Sequence, residues 1–472
     1  MSSSQFLHWF LLPVTLCGVL IGIDVVNWLR GRLDTFDPVG ILGLLGFYFF
    51  FLAPLLHLSM NYWLDYVSYP HDWRDWLGGM AGLNALGLMV YQVSRYFFGL
   101  SWPKRPPFRK VSWEIDWSRF KVIITLALIF TALLQSWVYA QFGGISGYIA
   151  LSTDPNSYVD QPMQNWGWIF MISESFPILA MMTFAVYNRR KGISISWITI
   201  GPVLLIFFAL LIYFGGLRGS RANTVWGLFW GVGIIHFWIK PITKKVIGVG
   251  CIFLVLFMYF YGFFKGAGLN GLNAFTDEAA RAELEQKTDR DLNATLLSDL
   301  ERSDVQAFML YRISLPDSDY SYAWGRTYVA AVSILIPRSI FPDRPPLKVK
   351  EGTELLFGKN TYEPGIFDSS KVYGLAGEAM LNFGPLAVPP IFLVLALVVA
   401  QVRRLIFRWR NGDSRSLLLP LLVNMCFVIL VNDLDNDIFN FIKGSSVPLL
   451  ILILTSNRHN YQSGTSSCSL AE

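Results

Sequence analysis

The strongest constraint on this chain is the recurrence of apolar runs long enough to cross a lipid bilayer. A hydrocarbon core of roughly 30 Å requires about 20 consecutive apolar residues in a helix. Such runs occupy 6–29, 39–60, 76–98, 120–142, 165–187, 194–214, 222–238, 246–264, 378–401, 416–432 and 438–455. A backbone in hydrocarbon must satisfy its hydrogen bonds internally, as a helix or a closed barrel. Barrel strands alternate polarity in short segments, and these runs do not. The expected fold is an all-α polytopic membrane protein with about eleven transmembrane helices. The first run lacks a basic leader and a small-residue cleavage site, so it is expected to be a retained helix rather than a signal peptide. A hydrophobic content of 53% against 15% charged residues excludes an ordinary soluble enzyme.

Basic residues concentrate in short cytoplasmic loops of membrane proteins. The loop 99–121, the "RRK" at 189–191, the "KPITKK" at 240–245 and the "RRLIFRWRNGDSR" at 403–415 are basic. The intervening loops are acidic or neutral: 61–75 with Asp65, Asp72 and Asp75, 143–164 with Asp154 and Asp160, and "NDLDND" at 432–437. This alternation places the amino terminus outside and the carboxyl terminus inside. The chain divides into amino-terminal transmembrane helices (1–264), a large extracytoplasmic loop (265–377), carboxyl-terminal helices (378–455) and a cytoplasmic tail (456–472). The net charge of +5 lies in short loops between helices, which argues against a nucleic-acid partner. Cys17, Cys251 and Cys426 fall inside helices and Cys468 in the tail, so no disulfide framework or zinc spacing is expected.

One short outer loop breaks the charge rule. "YFGGLRGSRAN" places Arg218 and Arg221 between two apolar runs on the acidic side. Arginine keeps its charge, so the pair either snorkels to headgroups or holds an anion. Gly215, Gly216 and Gly219 allow close backbone approach to a ligand. Ser220 is placed to cap a helix starting near Arg221, and a helix amino terminus attracts phosphate.

The segment 265–377 is too long for a simple connection. Its first part, 277–319, is acid-rich and reads as amphipathic surface helices, as in "TDEAARAELEQ" and "DLERSDVQAFMLYRI". Residues 327–337 are too short to span and are expected as a re-entrant or interfacial helix ending at Pro337. "IPRSIFPDRPP" at 336–346 then fixes a stiff extended path, presenting Arg338 and Arg344, with Lys348 and Lys350 following. Guanidinium pairs bidentately with phosphate, so these arginines are candidate diphosphate ligands; salt bridges within the loop are the plain alternative. Glu378 and Asn382, four residues apart, share a helix face. Glu378 is the first candidate general base, with Asp433 and Asp435 in the last outer loop as the second.

Together "GSRAN" at 219–223, "IPRSIFPDRPP" at 336–346 and "GEAMLNFG" at 377–384 resemble the motifs of bacterial O-antigen polymerases, the oligosaccharide repeat-unit polymerases. The layout is similar to that of enterobacterial common antigen polymerases. The motifs cover roughly 210–400, and the helix layout covers the whole chain. The resemblance implies a GT-C-like glycosyltransferase of the bacterial inner membrane. Its substrate would be undecaprenyl-diphosphate-linked oligosaccharide, used on the periplasmic face. It also implies a polysaccharide chain-length regulator as a partner. Arg221 matches the arginine of the family's first motif, and Arg218 is an addition. No cofactor is called for: a sugar on a lipid diphosphate is already activated, no nucleotide-binding fingerprint occurs, and a metal is not required.

Two rival readings stay open. An O-antigen ligase shares the layout but, as a family, is expected to place a histidine in its large loop. Residues 265–377 contain none, and only His71 falls in an outer loop. A lipid-linked oligosaccharide transporter finds its best support in Glu174 of "MISESFPILA", a carboxylate in an apolar run before Pro177.

Overall fold

A computed structural model describes residues 8–64, 70, 72–100, 111–153, 166–193, 195–288, 291–336, 340–364, 366–367, 371–409 and 412–460. Asp65, His71, Asp154, Asp160, Arg338 and Cys468 lie outside the described residues. The described chain is helical almost throughout. Nine of its helical stretches are long and apolar enough to cross a membrane: Leu11–Leu29, Pro38–Met60, Trp117–Gln141, Gly167–Lys191, Trp197–Arg218, Lys244–Ala274, Pro385–Arg408, Ser414–Val431 and Leu434–Thr455. The protein is therefore a multi-pass α-helical membrane protein.

The two other expected spans also form helices, Trp73–Leu100 and Arg221–Trp238. Charged and polar residues lower their hydropathy: Arg74, Asp75 and Arg95 in one, Arg221 and His236 in the other. Both pack within the bundle. Trp73–Leu100 lies along Leu11–Leu29 and the 388–408 helix. At Gly87 a Cβ would overlap the Phe392 ring, so that glycine sets the approach of the two helices. Large apolar side chains such as Leu126, Ile198, Leu205, Val249 and Leu450 face outward, as lipid contact requires.

The buried residues form two main cores. One joins the 11–29, 38–60, 73–100 and 388–408 helices, and the other the 117–141, 176–191, 197–214 and 221–238 helices. The Leu419–Val431 helix contributes to both. The large loop is not a separate layer, because its Val305, Phe308, Leu355, Leu356 and Tyr373 belong to the first core. This corrects the expected surface helix over "DLERSDVQAFMLYRI". Ser303–Ser314 is buried along Val305–Leu310 because it packs against Trp73–Leu100 and the Lys348–Phe357 and Gly374–Phe383 helices. The acidic Glu278–Thr288 helix remains largely exposed, as expected. Within the stretch expected as a re-entrant or interfacial helix, a helix forms over Arg326–Ser333. It packs against Leu434–Thr455 and leaves Val329 and Val332 exposed.

Residues expected on opposite sides of the membrane gather at opposite ends of the bundle. At one end Asp37 pairs with Arg403 at 3.0 Å and His236 with Asp34 at 2.8 Å. There β1 (Val111–Ile115) pairs antiparallel with β2 (Ser456–Asn460), so the first residues of the expected tail form a strand. At the other end His57 meets Glu301 at 2.7 Å and Arg221 meets Asp299.

Candidate substrate site at one end of the bundle

Arg218 closes a short 3-10 turn, Gly216–Arg218, and Gly219 follows at φ +77°, a left-handed conformation that glycine adopts without strain. The chain then enters the Arg221–Trp238 helix with Ser220 at the cap position, but the serine side chain makes no capping hydrogen bond. The helix boundary is thus where the sequence put it, and the expected hydroxyl cap is not formed.

The two arginines take different partners. Arg221 forms a two-pronged pair with Asp299, Nη1 donating to Oδ2 at 2.5 Å and Nη2 to Oδ1 at 2.8 Å. This is the fork-to-carboxylate geometry by which guanidinium also takes a phosphate. Arg218 lies 3.0 Å from Glu174 Oε1 and over the Phe170 ring at 4.3 Å. That oxygen has no aligned hydrogen-bond donor among the described residues, so the contact is an ion pair off hydrogen-bond geometry.

Glu174 also carries a second cation. Lys443 Nζ is 2.5 Å from Oε2, and Asn223 Nδ2 donates to the same oxygen at 3.1 Å. Lys443 also donates to Asn223 Oδ1 at 3.1 Å. Glu174 is held there by a break between the Gly167–Ser173 and Phe176–Lys191 helices, where Pro177 starts the second piece. Among the described residues, three cations (Arg218, Arg221 and Lys443) thus face two carboxylates (Glu174 and Asp299), leaving positive charge in excess. A cavity of about 100 Å³ opens beside them, with Glu174, Asn223 and Lys443 on its polar wall and Trp226, Trp230 and Met425 on its apolar wall.

The candidate bases form a second cluster. Glu378 is buried and both oxygens are engaged: Thr327 Oγ1 donates to Oε1 at 2.8 Å and the Leu434 N–H to Oε2 at 2.7 Å. Asn382, on the same face as expected, donates to Thr327 Oγ1 at 2.7 Å and to the Glu378 carbonyl at 2.8 Å. Burial pushes the Glu378 carboxyl above its usual range, against those two hydrogen bonds. Leu434 opens the last helix, so Glu378 caps it while the Asp433 side chain turns elsewhere.

Asp433 is fully buried. Oδ1 accepts from Tyr373 N and Gly374 N, each at 2.9 Å, and Oδ2 pairs with Lys348. Burial pushes the Lys348 ammonium down to about 8, opposed chiefly by the Asp435 and Glu378 carboxylates. Among the described residues, Asp435 accepts a hydrogen bond only from the neighbouring Asn436 N–H, at 2.7 Å. Asp437 has one oxygen, Oδ1, buried without a hydrogen-bond partner among the described residues. Six residues along the same helix, a rise of about 9 Å, stands Lys443 of the first cluster.

The structure therefore brings Glu378, Asp433 and Asp435 together, and it places Arg218 and Arg221 in another cluster at the same end. Arg344 is half-buried and makes no ion pair with the described residues. Lys443, Asp299, Lys348 and Asp437 were not singled out as site residues from sequence. Lys443 had a clear signal, as a lone lysine in the apolar stretch "FNFIKGSSVPLLILIL", where an intramembrane charge marks function by default. Asp299 had none, being one acid among many in an acid-rich segment. No protein-family model, no curated protein and no solved structure matches this chain.

Proposed function

We propose that this protein polymerises undecaprenyl-diphosphate-linked oligosaccharide repeat units into a bacterial surface polysaccharide. It would act as a GT-C-like glycosyltransferase on the periplasmic face of the inner membrane, working with a chain-length regulator. The observation that carries this reading is the excess of cations within the Arg218, Arg221 and Lys443 cluster, in which the Arg221 fork grips a carboxylate as it would grip a phosphate.

The chemistry needs little more. The bond between the sugar anomeric carbon and the lipid diphosphate breaks, and its electron pair leaves with the diphosphate. The anomeric carbon bonds to an acceptor hydroxyl, whose proton passes to a carboxylate. Arg221, released from Asp299, takes the leaving diphosphate, while Arg218 and Lys443 supply further positive potential. Only the attraction that grows as charge develops accelerates the step. For the proton, Asp435 and Asp437 are the better candidates. Glu378 and Asp433 already have both oxygens engaged by other elements. A polar cleft of about 300 Å³, with Asp319, Tyr320, Arg326, Lys350, Glu351 and Glu354 on its walls, suits the hydroxyls of an acceptor glycan.

A second reading draws on one observation. The helix break at Glu174 and the buried Lys443 opposite it are features that a lipid-linked oligosaccharide transporter would use. One assay separates the readings: purified protein in vesicles with a defined lipid-linked repeat, resolved by glycan length. A ladder supports polymerase. Transfer only to lipid A core assigns a ligase, and no new glycosidic bond with lipid movement assigns a transporter.

A further inference from the structure

Near the arginine cluster lies a buried trio that the proposed reaction does not use. His57 sits in the Ala53–Met60 helix, directly after a π-helical turn, Tyr48–Leu52. Glu301 and Asp304 flank the start of the Ser303–Ser314 helix, just after a second π turn, Thr295–Asp299. The two turns touch: Tyr48 Oη donates to the Leu296 carbonyl at 2.6 Å. Such turns are uncommon and frequently accompany functional sites. His57 and Glu301 are fully buried and Asp304 is 2% exposed. One donor atom from each of the three lies within 4.8 Å of the others.

Three details define what can fill the space between them. His57 Nδ1 is 2.8 Å from the Tyr62 carbonyl, which can only accept, so Nδ1 holds a proton. His57 Nε2 then faces Glu301 Oε1 at 2.7 Å, a contact that is attractive only with a cation between or upon them. Asp304 Oδ1 accepts from Val305 N at 2.6 Å, but Oδ2 is buried with no hydrogen-bond partner among the described residues. A proton on Nε2 serves the histidine and the glutamate and leaves the aspartate oxygen unserved. A divalent cation serves all three at once.

We propose that His57, Glu301 and Asp304 bind a first-row divalent cation of the Zn²⁺ class, clamping the large outer segment to the helix bundle. Imidazole nitrogen and carboxylate oxygen are both ordinary ligands of such ions, and the histidine's other nitrogen is held by a carbonyl, as is usual for metal-bound histidines. Donors about 2.1 Å from a tetrahedral zinc stand roughly 3.4 Å apart, so the His57–Glu301 pair, at 2.7 Å, must open to admit the ion. Asp304, whose ligand oxygen lies within 4.8 Å of the other two, must close in to complete the site. Arg302 opposes a cation by its charge, although its Nη1 is directed to the Ser298 and Asp299 carbonyls at 3.3 Å. Affinity is therefore expected below that of cysteine-rich zinc sites. Asp299, the partner of Arg221, lies two residues before Glu301, so the clamp would set the height of that pair without taking part in the transfer.

The test uses the full chain purified in detergent, stripped with chelator and titrated with Zn²⁺. Bound metal is counted by elemental analysis, and Co²⁺ substitution reports the ligands through its visible bands. A second cluster, His8 with Asp72 and Asp75, is more exposed and serves as the control. The expected result is one Zn²⁺ per chain, raising the melting temperature and slowing hydrogen exchange over 295–310. Asp304→Asn and Glu301→Gln keep the local hydrogen bonds to Val305 N and Ser303 N, and should weaken binding at least about ten-fold. Asp75→Asn should leave it unchanged. Absence of stoichiometric metal in well-folded wild-type protein overturns the proposal, as does undiminished affinity in Asp304→Asn. Loss of the bound ion in Asp75→Asn moves the site to the exposed cluster and likewise overturns it.

Discussion

The two charged clusters at the Arg221 end of the bundle hold similar groups in different ways. Around Arg218, Arg221 and Lys443, most contacts run from side chain to side chain, and cations outnumber carboxylates. Around Lys348, carboxylates outnumber the cation, and the backbone holds them. Asp433 accepts two main-chain N–H groups, and Glu378 accepts the first N–H of the last helix. A side-chain pair can be exchanged for a ligand at the cost of rotamer changes. A carboxylate that satisfies buried backbone amides cannot leave without orphaning them. The first cluster is thus suited to binding, and the second, at Glu378 and Asp433, to fixing where helices meet.

The largest expected effect tests the first half of that contrast. Arg221→Ala should reduce polymer by about 10²–10³-fold at matched protein level, the scale for losing one preorganised charge-stabilising group. Arg221→Lys should recover little, because an ammonium lacks the two-pronged fork. Asp299→Asn is the decisive companion. If Asp299 merely occupies the fork until substrate arrives, its neutral variant should retain or increase polymer. Equal losses in both variants, read as glycan ladders, would make the pair architectural and erase the distinction between the clusters.

The second half is tested by stability. The side chains of Lys348 and Asp433 are 4% and 0% exposed. Lys348→Met leaves a buried carboxylate without its cation, a loss of about 3–5 kcal/mol. Asp433→Asn should cost less, because the ammonium loses its ion-pair partner but still donates to the Lys371 carbonyl at 3.0 Å. The double variant should recover part of that loss, since the asparagine oxygen still accepts from Tyr373 N and Gly374 N. Thermal unfolding in detergent reads this order. A double variant no better than the worse single one would mean that the pair's charges are not what holds this junction.

A smaller effect belongs to Arg218. It shares Glu174 with Lys443 and meets it off hydrogen-bond geometry, so it acts mainly through potential. Arg218→Lys should lower polymer yield only a few-fold, since a point charge at that distance supplies most of the same field. A loss as deep as that of Arg221→Ala would show that Arg218 also binds through its fork.

Hydropathy and charge alternation made most of this architecture legible. The nine apolar helices and the separation of acidic from basic loops follow from residue type along the chain, and so does the helix starting at Arg221. The pairings were not legible, because they join residues far apart in sequence. Arg221 meets Asp299, and Lys348 meets Asp433, through the folding of the outer segment onto the first core. Ser303–Ser314 misled for a related reason: its early acids suggested a surface helix, yet Glu301 and Asp304 are buried against His57. A carboxylate's role depends on its partner, and sequence spacing names partners only within one helix, as it did for Glu378 and Asn382.

The smallest effect is expected at Glu378, and it separates an architectural carboxylate from a reacting one within the second cluster. In Glu378→Gln the amide oxygen can still accept from Leu434 N, so the last helix keeps its cap. The amide nitrogen can donate to Thr327 Oγ1, which costs that hydroxyl its acceptor, a loss of about 1 kcal/mol. If Glu378 holds helices together, polymer per folded protein should stay within about two-fold of wild type, a rate difference worth under 0.5 kcal/mol. If instead it takes the acceptor proton, the neutral amide has no basicity to offer, and the ladder should collapse with stability little changed. Asp435→Asn and Asp437→Asn, measured alongside, should show the opposite pattern, with polymer lost and melting temperature held. A collapsed ladder for Glu378→Gln, with both aspartate variants intact, would move the base from Asp435 or Asp437 to Glu378 and take that residue out of the architectural role.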